Sequence, residues 1–417
     1  MEPSAGHPSA HLSDEALSVL AEARELGRDD VAYDEGRVFS LAYYAGPEVS
    51  EIAARAHAMY SSANGLNADA FPSLRRFQSD VVATVLSWLN GDHDTAGFMT
   101  SGGTESILMA VKAARERGRL ERGIVEPNVV LPTSAHAAFE KACHYFGVES
   151  RRVPVLDDWR ADVAGMARAV DGNTVLLVGS APQYPQGVID PITDIARIAL
   201  DRDTNMHVDA CMGGVTLTYM RRLGETVPPW AFEVEGVTSV SVDLHKYGYT
   251  AKGASVIAYR DKRQRSYQTF VTDNWLGGLY GSSGFLGTKS GGPFAAAWAV
   301  MRYLGDAGYE RLTRSARATA TKLADAIEST PGLVLRSRPD STLLSFGWTD
   351  GDVGVLARRL SARRWYVDQQ GPPPSLHCTV MAAHEATIDE FISDLRECVS
   401  MGGGAAGAET AVYGTID

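Results

Sequence analysis

Short runs of apolar residues alternate along the chain with segments of helical periodicity, and this alternation most constrains the fold. The runs occupy residues 129–132, 152–155, 174–179, 205–209 and 239–243. Strands that are buried on both faces of a parallel sheet read as short apolar runs, and the intervening helices cover those faces. The sequence therefore predicts an α/β fold with a mostly parallel sheet flanked by helices.

The pattern changes after residue 293. Helical periodicity dominates at 294–304 and 309–329, and a second alternation of apolar runs and helices continues to residue 399. This change predicts a smaller C-terminal α/β domain. We expect an N-terminal segment (1–60), a large domain (61–293), and linker helices with a small domain (294–417). The glycine-rich stretch 402–408 is typical of a flexible tail.

Composition narrows the class of protein. The 417 residues include 39 Lys and Arg against 51 Asp and Glu, and the resulting net charge of −12 argues against a general nucleic-acid surface. The four cysteines have no metal-ligand spacing and are too sparse for a disulfide scaffold, which favours a reducing cytoplasm. The first residues do not resemble a signal peptide, and apolar runs are too short for an integral membrane segment.

Lys246 lies in the run 241–253 and is a candidate for an amine that binds an aldehyde. Such a lysine works only when its charge is suppressed. Two upstream features would complete a pyridoxal 5'-phosphate (PLP) site: a Gly-rich segment at 100–106 and the acid Asp209. Together these features predict a phosphate cup, a partner for the pyridine nitrogen and a lysine for the cofactor aldehyde.

Each feature also has an ordinary structural explanation. Gly102, Gly103 and Thr104 could form only a tight turn before a capped helix, although a helix N-terminus also suits a phosphate. Asp209 could cap a loop, but it follows a strand at the end where ligands collect. His136 could be a capping residue or a ring that stacks on a cofactor. His245 could bind a backbone group or the cofactor phosphate.

Six segments in order resemble the sphingosine-1-phosphate lyase family, which is part of the group II PLP decarboxylase-like enzymes of fold-type I. The segments are 100–106, 136–141, 179–191, 207–211, 243–253 and 275–282, with a weaker similarity at 411–414. The resemblance spans roughly residues 30 to 300. It implies a PLP-dependent carbon–carbon lyase that cleaves a 2-amino-3-hydroxy compound, such as sphingosine 1-phosphate, to an aldehyde and phosphoethanolamine.

The resemblance also implies roles for individual residues. Lys246 would be the Schiff-base lysine, Asp209 the partner of the pyridine nitrogen and His136 the stacking ring. The cofactor phosphate would be held by the following residues: Gly102, Gly103, Thr104 and His245, with Gly287 and Thr288 from the partner subunit. A homodimer with shared sites is thus implied, with a small-molecule or sphingoid amine as substrate.

The resemblance further implies that Tyr43, Lys252, Asn67 and Lys289 contact the substrate, and that Tyr43 and Lys252 are the candidates for proton transfer. Two of these positions depart from the family pattern. Asn67 stands where the family has a histidine, and asparagine does not titrate near neutral pH. Lys289 replaces an arginine and lacks its planar bidentate fork.

Three alternatives remain open at this stage. A PLP-dependent L-amino-acid decarboxylase on the same scaffold would break a bond to a carboxylate. A lyase for a non-lipid β-hydroxy amino substrate would accommodate the changes at Asn67 and Lys289. A non-catalytic relative would use PLP only for stability, although Lys246, Asp209 and His136 all persist.

Overall fold

The structure is a computed structural model that describes residues 12–67 and 69–403. The predicted tail at 402–408 lies outside the described residues from 404 onward, as does the weak similarity at 411–414. Two bodies of secondary structure are present, a seven-stranded sheet with flanking helices and a four-stranded sheet near the C-terminus. The α/β fold class predicted from the sequence is confirmed, including the smaller second sheet. The boundaries 1–60, 61–293 and 294–417 stay a prediction.

Three helices precede the large sheet. They are α1 (Asp14–Leu26), α2 (Pro47–Met59) and α3 (Pro72–Trp88). The seven strands of that sheet are β1 (Ala96–Thr100), β2 (Asn128–Pro132), β3 (Glu149–Val153), β4 (Thr174–Ser180), β5 (Asn205–Asp209), β6 (Ser239–Asp243) and β7 (Ser255–Tyr259). The helices between them are α4 (Gly103–Arg122), α5 (Ala138–Phe146), α6 (Val163–Ala169), α7 (Ile192–Asp201) and α8 (Gly213–Arg222).

The strand order is β1-β7-β6-β5-β4-β2-β3. The pairs from β3 to β6 are parallel, as the apolar runs predict, but β7 runs antiparallel to both neighbours. The insertion of β7 leaves β1 pointing the same way as β6. The carboxyl ends of β1, β4, β5 and β6 therefore meet at one edge of the sheet, where α/β proteins bind ligands.

A short helix, α9 (Lys262–Ser266), and a two-stranded hairpin of β8 (Phe270–Thr272) and β9 (Tyr280–Ser282) follow the sheet. The predicted helix pair at 294–304 and 309–329 is confirmed, as two helices that meet end to end within α10 (Gly292–Glu328). It bends at Gly305, whose φ of 52° breaks the helical backbone. The two expected helices therefore lie on either side of Gly305.

The antiparallel small sheet has the order β10-β11-β13-β12. Its elements are β10 (Leu333–Leu335), β11 (Leu343–Trp348), α11 (Val353–Ser361), β12 (Asp368–Gln370), β13 (Ser375–Thr379) and α12 (Ile388–Ser400). Phe39 packs into the core of this unit, stacked on His384 with ring centroids 4.1 Å apart. The segment that leads to Tyr43 is therefore anchored on the small sheet. No helix among residues 12–67 and 69–403 is long and apolar enough to cross a membrane.

Candidate functional site

A cavity of about 360 Å³ lies at the carboxyl edge of the large sheet. Its volume falls within the range of ordinary ligand sites, about 300–1,000 Å³. The cavity brings together most of the predicted cofactor residues: Gly102, Gly103, Thr104, His136, Asp209, His245 and Lys246. We call it the cofactor cavity. The register explains this convergence, because Ser180 pairs with Asp209 and Asp209 pairs with Ser241 across neighbouring strands.

The phosphate cup forms where β1 passes into α4. The helix begins at Gly103, so its first backbone N–H groups face the cavity edge. A Cβ atom at Gly103 would lie 2.7 Å from Cys211 Sγ and 2.8 Å from Asp243 Oδ2, so only glycine fits there. The ring of His245 lies directly beside Gly102, and burial lowers the pKa of His245.

Lys246 forms an ion pair that the sequence reasoning missed. Its Nζ lies 2.9 Å from Asp243 Oδ2, and Asp243 is almost fully buried at the end of β6. Burial is the largest single influence and disfavours the ammonium, but the combined Coulomb effects of Asp243, Cys211, Tyr43 and Asp209 outweigh it and raise the pKa of Lys246. The same pairing lowers the pKa of Asp243 despite its burial. The expectation that the charge of Lys246 is suppressed is therefore wrong for the chain by itself.

Asp209 accepts its hydrogen bonds from groups outside this pair. Its Oδ1 accepts hydrogen bonds from Cys211 N at 3.1 Å and Ser241 Oγ at 3.3 Å. Behind it, His207 is held between two serine hydroxyls, and burial lowers the pKa of His207 to about 4. Because His207 is neutral, it does not place a positive charge next to the Asp209 carboxylate. Asp209 can thus bind a protonated ring nitrogen.

His136 lies just before α5 and lines the cavity, with its Nδ1 accepting a hydrogen bond from Ala138 N at 3.0 Å. Burial lowers the pKa of His136, so the ring is neutral at neutral pH. A neutral, fixed imidazole is suited to lie against an aromatic cofactor.

Tyr43 and Lys252 lie together beside the cavity. The Tyr43 hydroxyl donates to Met212 Sδ at 3.6 Å, and Met212 lines the cavity. Lys252 Nζ lies 5.1 Å from the centre of the Tyr43 ring and donates to the carbonyl oxygens of Leu41 at 2.7 Å and His245 at 3.3 Å. Desolvation by the surrounding protein, together with the charge of Lys246, lowers the pKa of Lys252 to about 8.

The remaining predicted residues lie away from this cavity. Asn67 is exposed, and its Oδ1 accepts from the backbone of Asp69 and Ala70, which makes it a turn residue in the isolated chain. Lys289 packs its ammonium 4.5 Å from the ring centre of Phe98. Gly287, Thr288 and Lys289 are missing from the described lining of the cofactor cavity. Their assignment to a partner's site stays a prediction.

The structure adds several residues to the site. Asp243 holds Lys246, and Tyr184, Cys211 and Met212 line the cavity. Glu105 accepts hydrogen bonds from Ser101 N at 2.6 Å and from Phe285 N at 2.7 Å. It therefore fixes the turn between β1 and α4 and ties it to the loop after β9. The spacing of Asp243 and Lys246, three residues apart, was the only available signal for the ion pair.

These residues fit PLP. The cup has a helix N-terminus and a glycine that no larger residue can replace, and Asp209 and Lys246 line the same cavity. The donor set includes an anion site, a carboxylate for the pyridine nitrogen and an amine for the aldehyde.

Comparisons with known proteins agree with this chemistry. Residues 31–348 match the pyridoxal-dependent decarboxylase conserved domain. Sphingosine-1-phosphate lyase 1 of Rattus norvegicus is 39% identical over 396 residues, which cover 94% of this chain and 69% of the rat protein. The chain belongs to the sphingosine-1-phosphate lyase family. It is therefore a PLP-dependent lyase, as the sequence motifs predicted.

Solved structures support the same assignment. Sphingosine-1-phosphate lyase of Burkholderia pseudomallei superposes with a TM-score of 0.89 at 36% identity, covering 95% of this chain and 92% of that one. Glutamate decarboxylase of Lactobacillus brevis superposes with a TM-score of 0.81 at 19% identity, covering 95% of each chain. The second similarity concerns the fold alone.

Proposed function

We propose that this protein cleaves the bond between the second and third carbons of a phosphorylated 2-amino-3-hydroxy compound, such as sphingosine 1-phosphate. The products would be an aldehyde and phosphoethanolamine. The position of Lys252 carries this proposal. Its Nζ donates to the carbonyl of His245, the residue directly before Lys246, and its pKa of about 8 suits proton transfer near neutral pH.

Each residue has a distinct task in this reaction. Bound PLP supplies an electron sink for the amino-bearing carbon of the substrate. Asp209 holds a proton at the ring nitrogen, while the Gly103 turn and the start of α4 hold the phosphate. Asp243 stabilises positive charge at the nitrogen of Lys246. His136 supports the ring from the cavity wall.

Proton transfer is assigned to Lys252 and Tyr43. Neutral Lys252 would accept the proton of the substrate's 3-hydroxyl group as the carbon–carbon bond breaks and the aldehyde forms. The proton would then be delivered to the carbon that bears the amino group, so atoms and charge balance. Asn67 and Lys289 would contact the substrate phosphate, with Lys289 contributed by the partner subunit.

Incubation of the holoenzyme with sphingosine 1-phosphate, and separately with a panel of L-amino acids, tests the reaction. We expect aldehyde and phosphoethanolamine from the first. Carbon dioxide from an amino acid, without aldehyde from sphingosine 1-phosphate, would instead make the protein a decarboxylase. Lys246→Ala should abolish borohydride-fixed cofactor, and a colourless wild-type protein that takes up no PLP would exclude catalysis with this cofactor.

Lys252 is tested by its pH profile. We expect kcat/KM to rise with pH through about 8, because the base must be neutral. Lys252→Gln should lower kcat and remove that rise. Lys262→Gln, on the exposed side of α9, is the matched control and should keep the wild-type profile.

We propose further that the protein is a cytoplasmic homodimer. The four cysteines are all free and buried, which suits a reducing compartment. The hairpin region before Gly287 exposes large apolar side chains, with Leu276 fully exposed and Leu279 77% exposed. Such a patch supports a subunit interface.

Complementation tests the shared site. A mixture of refolded Lys246→Ala and Lys289→Ala chains would regain part of the wild-type activity if Lys289 serves the partner's cavity. No recovery in proven heterodimers would exclude that arrangement.

A further inference from the structure

Tyr247 directly follows Lys246, and its side chain reaches the small sheet. The hydroxyl donates to Val380 O at 2.8 Å and accepts a hydrogen bond from Thr342 Oγ1 at 2.6 Å. Thr342 directly precedes β11, Val380 directly follows β13, and Val380 N donates to Thr342 O at 2.9 Å. One hydroxyl therefore joins the turn that carries Lys246 to the paired ends of two strands of the small sheet.

Water does not replace these hydrogen bonds, because all three residues are buried. Thr342 and Val380 are 0% exposed, and Tyr247 is 2% exposed. Burial raises the pKa of Tyr247, so the hydroxyl keeps its proton and donates it to the carbonyl of Val380. Removal of the hydroxyl would leave a buried donor and a buried acceptor unpaired, which is unfavourable.

The small sheet also holds the segment that leads to Tyr43. Thr379 N, at the end of β13, donates to Phe39 O at 2.7 Å. The Tyr43 ring meets the Tyr247 ring edge to face, with centroids 5.3 Å apart and an interplanar angle of 70°. Lys252 Nζ contacts the same Tyr43 ring. The position of Tyr43 beside Lys252 therefore depends on Tyr247.

Tyr43 and Lys246 come from different parts of the fold. Lys246 follows β6 of the large sheet, whereas the segment before Tyr43 is anchored on the small sheet. The distance between their reacting groups thus depends on how the two sheets are held together. Tyr43 lies close enough to Lys246 to affect its pKa. Tyr247 sets the position of Tyr43 relative to Lys246, because it contacts Tyr43 and hydrogen-bonds to the small sheet.

We propose that Tyr247 is a positioning residue for the reaction. Its hydrogen bonds to the small sheet hold Tyr43, and with it Lys252, at the distance from Lys246 that proton transfer requires. This inference rests on the proposed function, which assigns proton transfer to Tyr43 and Lys252. Tyr247 is missing from the described lining of the cofactor cavity, so it acts through Tyr43 and not on the cofactor. A displacement of a reacting group by about 1 Å can cost about 100-fold in rate.

Tyr247→Phe keeps the ring and removes only the hydroxyl. The measurements on the holoenzyme are kcat per bound PLP and KM with sphingosine 1-phosphate, and the affinity for PLP by absorbance. We expect kcat to fall about tenfold while KM and the PLP affinity change less than about twofold, because Asp209, Lys246 and the cup keep their contacts. A loss of stability alone would reduce the amount of active enzyme and leave kcat per bound PLP unchanged.

Thr342→Val tests the other partner of this hydrogen bond. It removes the hydroxyl that donates to Tyr247, at a site in the small sheet that is remote from the cofactor cavity. We expect kcat to fall about threefold, and the double variant to be little worse than Tyr247→Phe alone, because the two hydroxyls act as one pair. If Tyr247→Phe does not fold, kcat per bound PLP of Thr342→Val decides by the same criterion.

Tyr259→Phe is the matched control. Tyr259 is also 2% exposed and lies in β7 of the large sheet, but its hydroxyl has no hydrogen-bond partner among the described residues. This substitution should leave kcat and KM unchanged. A wild-type kcat per bound PLP in Tyr247→Phe would overturn the inference, as would an equal fall in Tyr259→Phe.

Amide hydrogen exchange of the holoenzyme without substrate separates this inference from the proposed reaction. We expect faster exchange at residues 40–45 in Tyr247→Phe than in the wild type, and no change in Tyr259→Phe, because the lost hydrogen bonds loosen the segment around Tyr43. If the wild type forms no aldehyde but this difference is present, the proposed reaction fails and the positioning of Tyr43 by Tyr247 stands. If Tyr247→Phe forms aldehyde at the wild-type kcat, the reaction stands and the inference fails.

Discussion

The ion pair between Lys246 and Asp243 predicts a large coupling free energy between these two side chains in the stability of the cofactor-free protein. Lys246 Nζ and Asp243 Oδ2 are 2.9 Å apart, and the Asp243 side chain is only 2% exposed. Coulomb's law gives an attraction of about 6 kcal/mol for this distance at an effective dielectric constant of about 20. Desolvation offsets part of it, so we expect a measured coupling of about 3 kcal/mol.

A double-mutant cycle measures this coupling. The variants are Asp243→Asn, Lys246→Met and the double variant, each unfolded in urea without PLP at one protein concentration. Each single substitution leaves a buried charge, either the Lys246 ammonium or the Asp243 carboxylate, without its partner. The double substitution removes both charges. The double variant should therefore be more stable than the sum of the single effects predicts.

The pH dependence of the coupling free energy between Asp243 and Lys246 follows from the pKa shifts of the two residues. The pKa of Asp243 is lowered in the folded chain, so its contribution is lost only as pH falls through that lowered value. The pKa of Lys246 is raised, so its contribution is lost only as pH rises through that raised value. The coupling should thus be constant between about pH 6 and about pH 9. A coupling below about 0.5 kcal/mol, or a decline toward pH 9, would refute the pairing.

Three further substitutions test the cup and the core. Gly103→Ala should weaken PLP binding in an absorbance titration, because its Cβ would meet Cys211 Sγ at 2.7 Å, whereas Gly172→Ala, with open space around it, should not. Phe39→Ala should lower the free energy of unfolding by about 3–5 kcal/mol, and the exposed Leu26→Ala by less than about 0.5 kcal/mol. His384→Gln should reduce the loss of stability between about pH 7 and about pH 5 by about 2 kcal/mol. Burial lowers the pKa of His384 to about 4, so the folded chain resists a protonation that the unfolded chain accepts near pH 6.5.

The main sheet was predictable because its strands are uniform in burial. Every residue of β2, β4, β5 and β6 is buried, and such strands appear in the sequence as short runs rich in apolar residues, although β5 and β6 also contain polar residues. The direction of β7 was not predictable, since its apolar run is the same whether it pairs in parallel or antiparallel. Pairing direction depends on the whole sheet, which places β7 between β1 and β6.

The cofactor residues were predictable to the extent that each belongs to a local motif. Gly103 precedes a helix, Asp209 ends a strand, and Lys246 follows the next strand. The contact between Asp368 and Tyr184 could not be predicted from the sequence, because the two residues are 184 positions apart in the chain. Contacts between distant segments depend on packing of the small sheet against the large one, which no local pattern reports.

The charge of Lys246 shows why the charged neighbours of a titratable residue must be considered together with its burial. Burial alone favours a neutral amine, whereas the sequence prediction required only that the charge of Lys246 be suppressed. In the fold, the turn after β6 brings the Lys246 ammonium back to the Asp243 carboxylate. Asp209 ends the neighbouring strand but has different partners, Cys211 and Ser241. The two carboxylates, one strand apart, thus have different partners: Asp243 holds the Lys246 nitrogen, and Asp209 would be placed to bind the ring nitrogen of a bound cofactor.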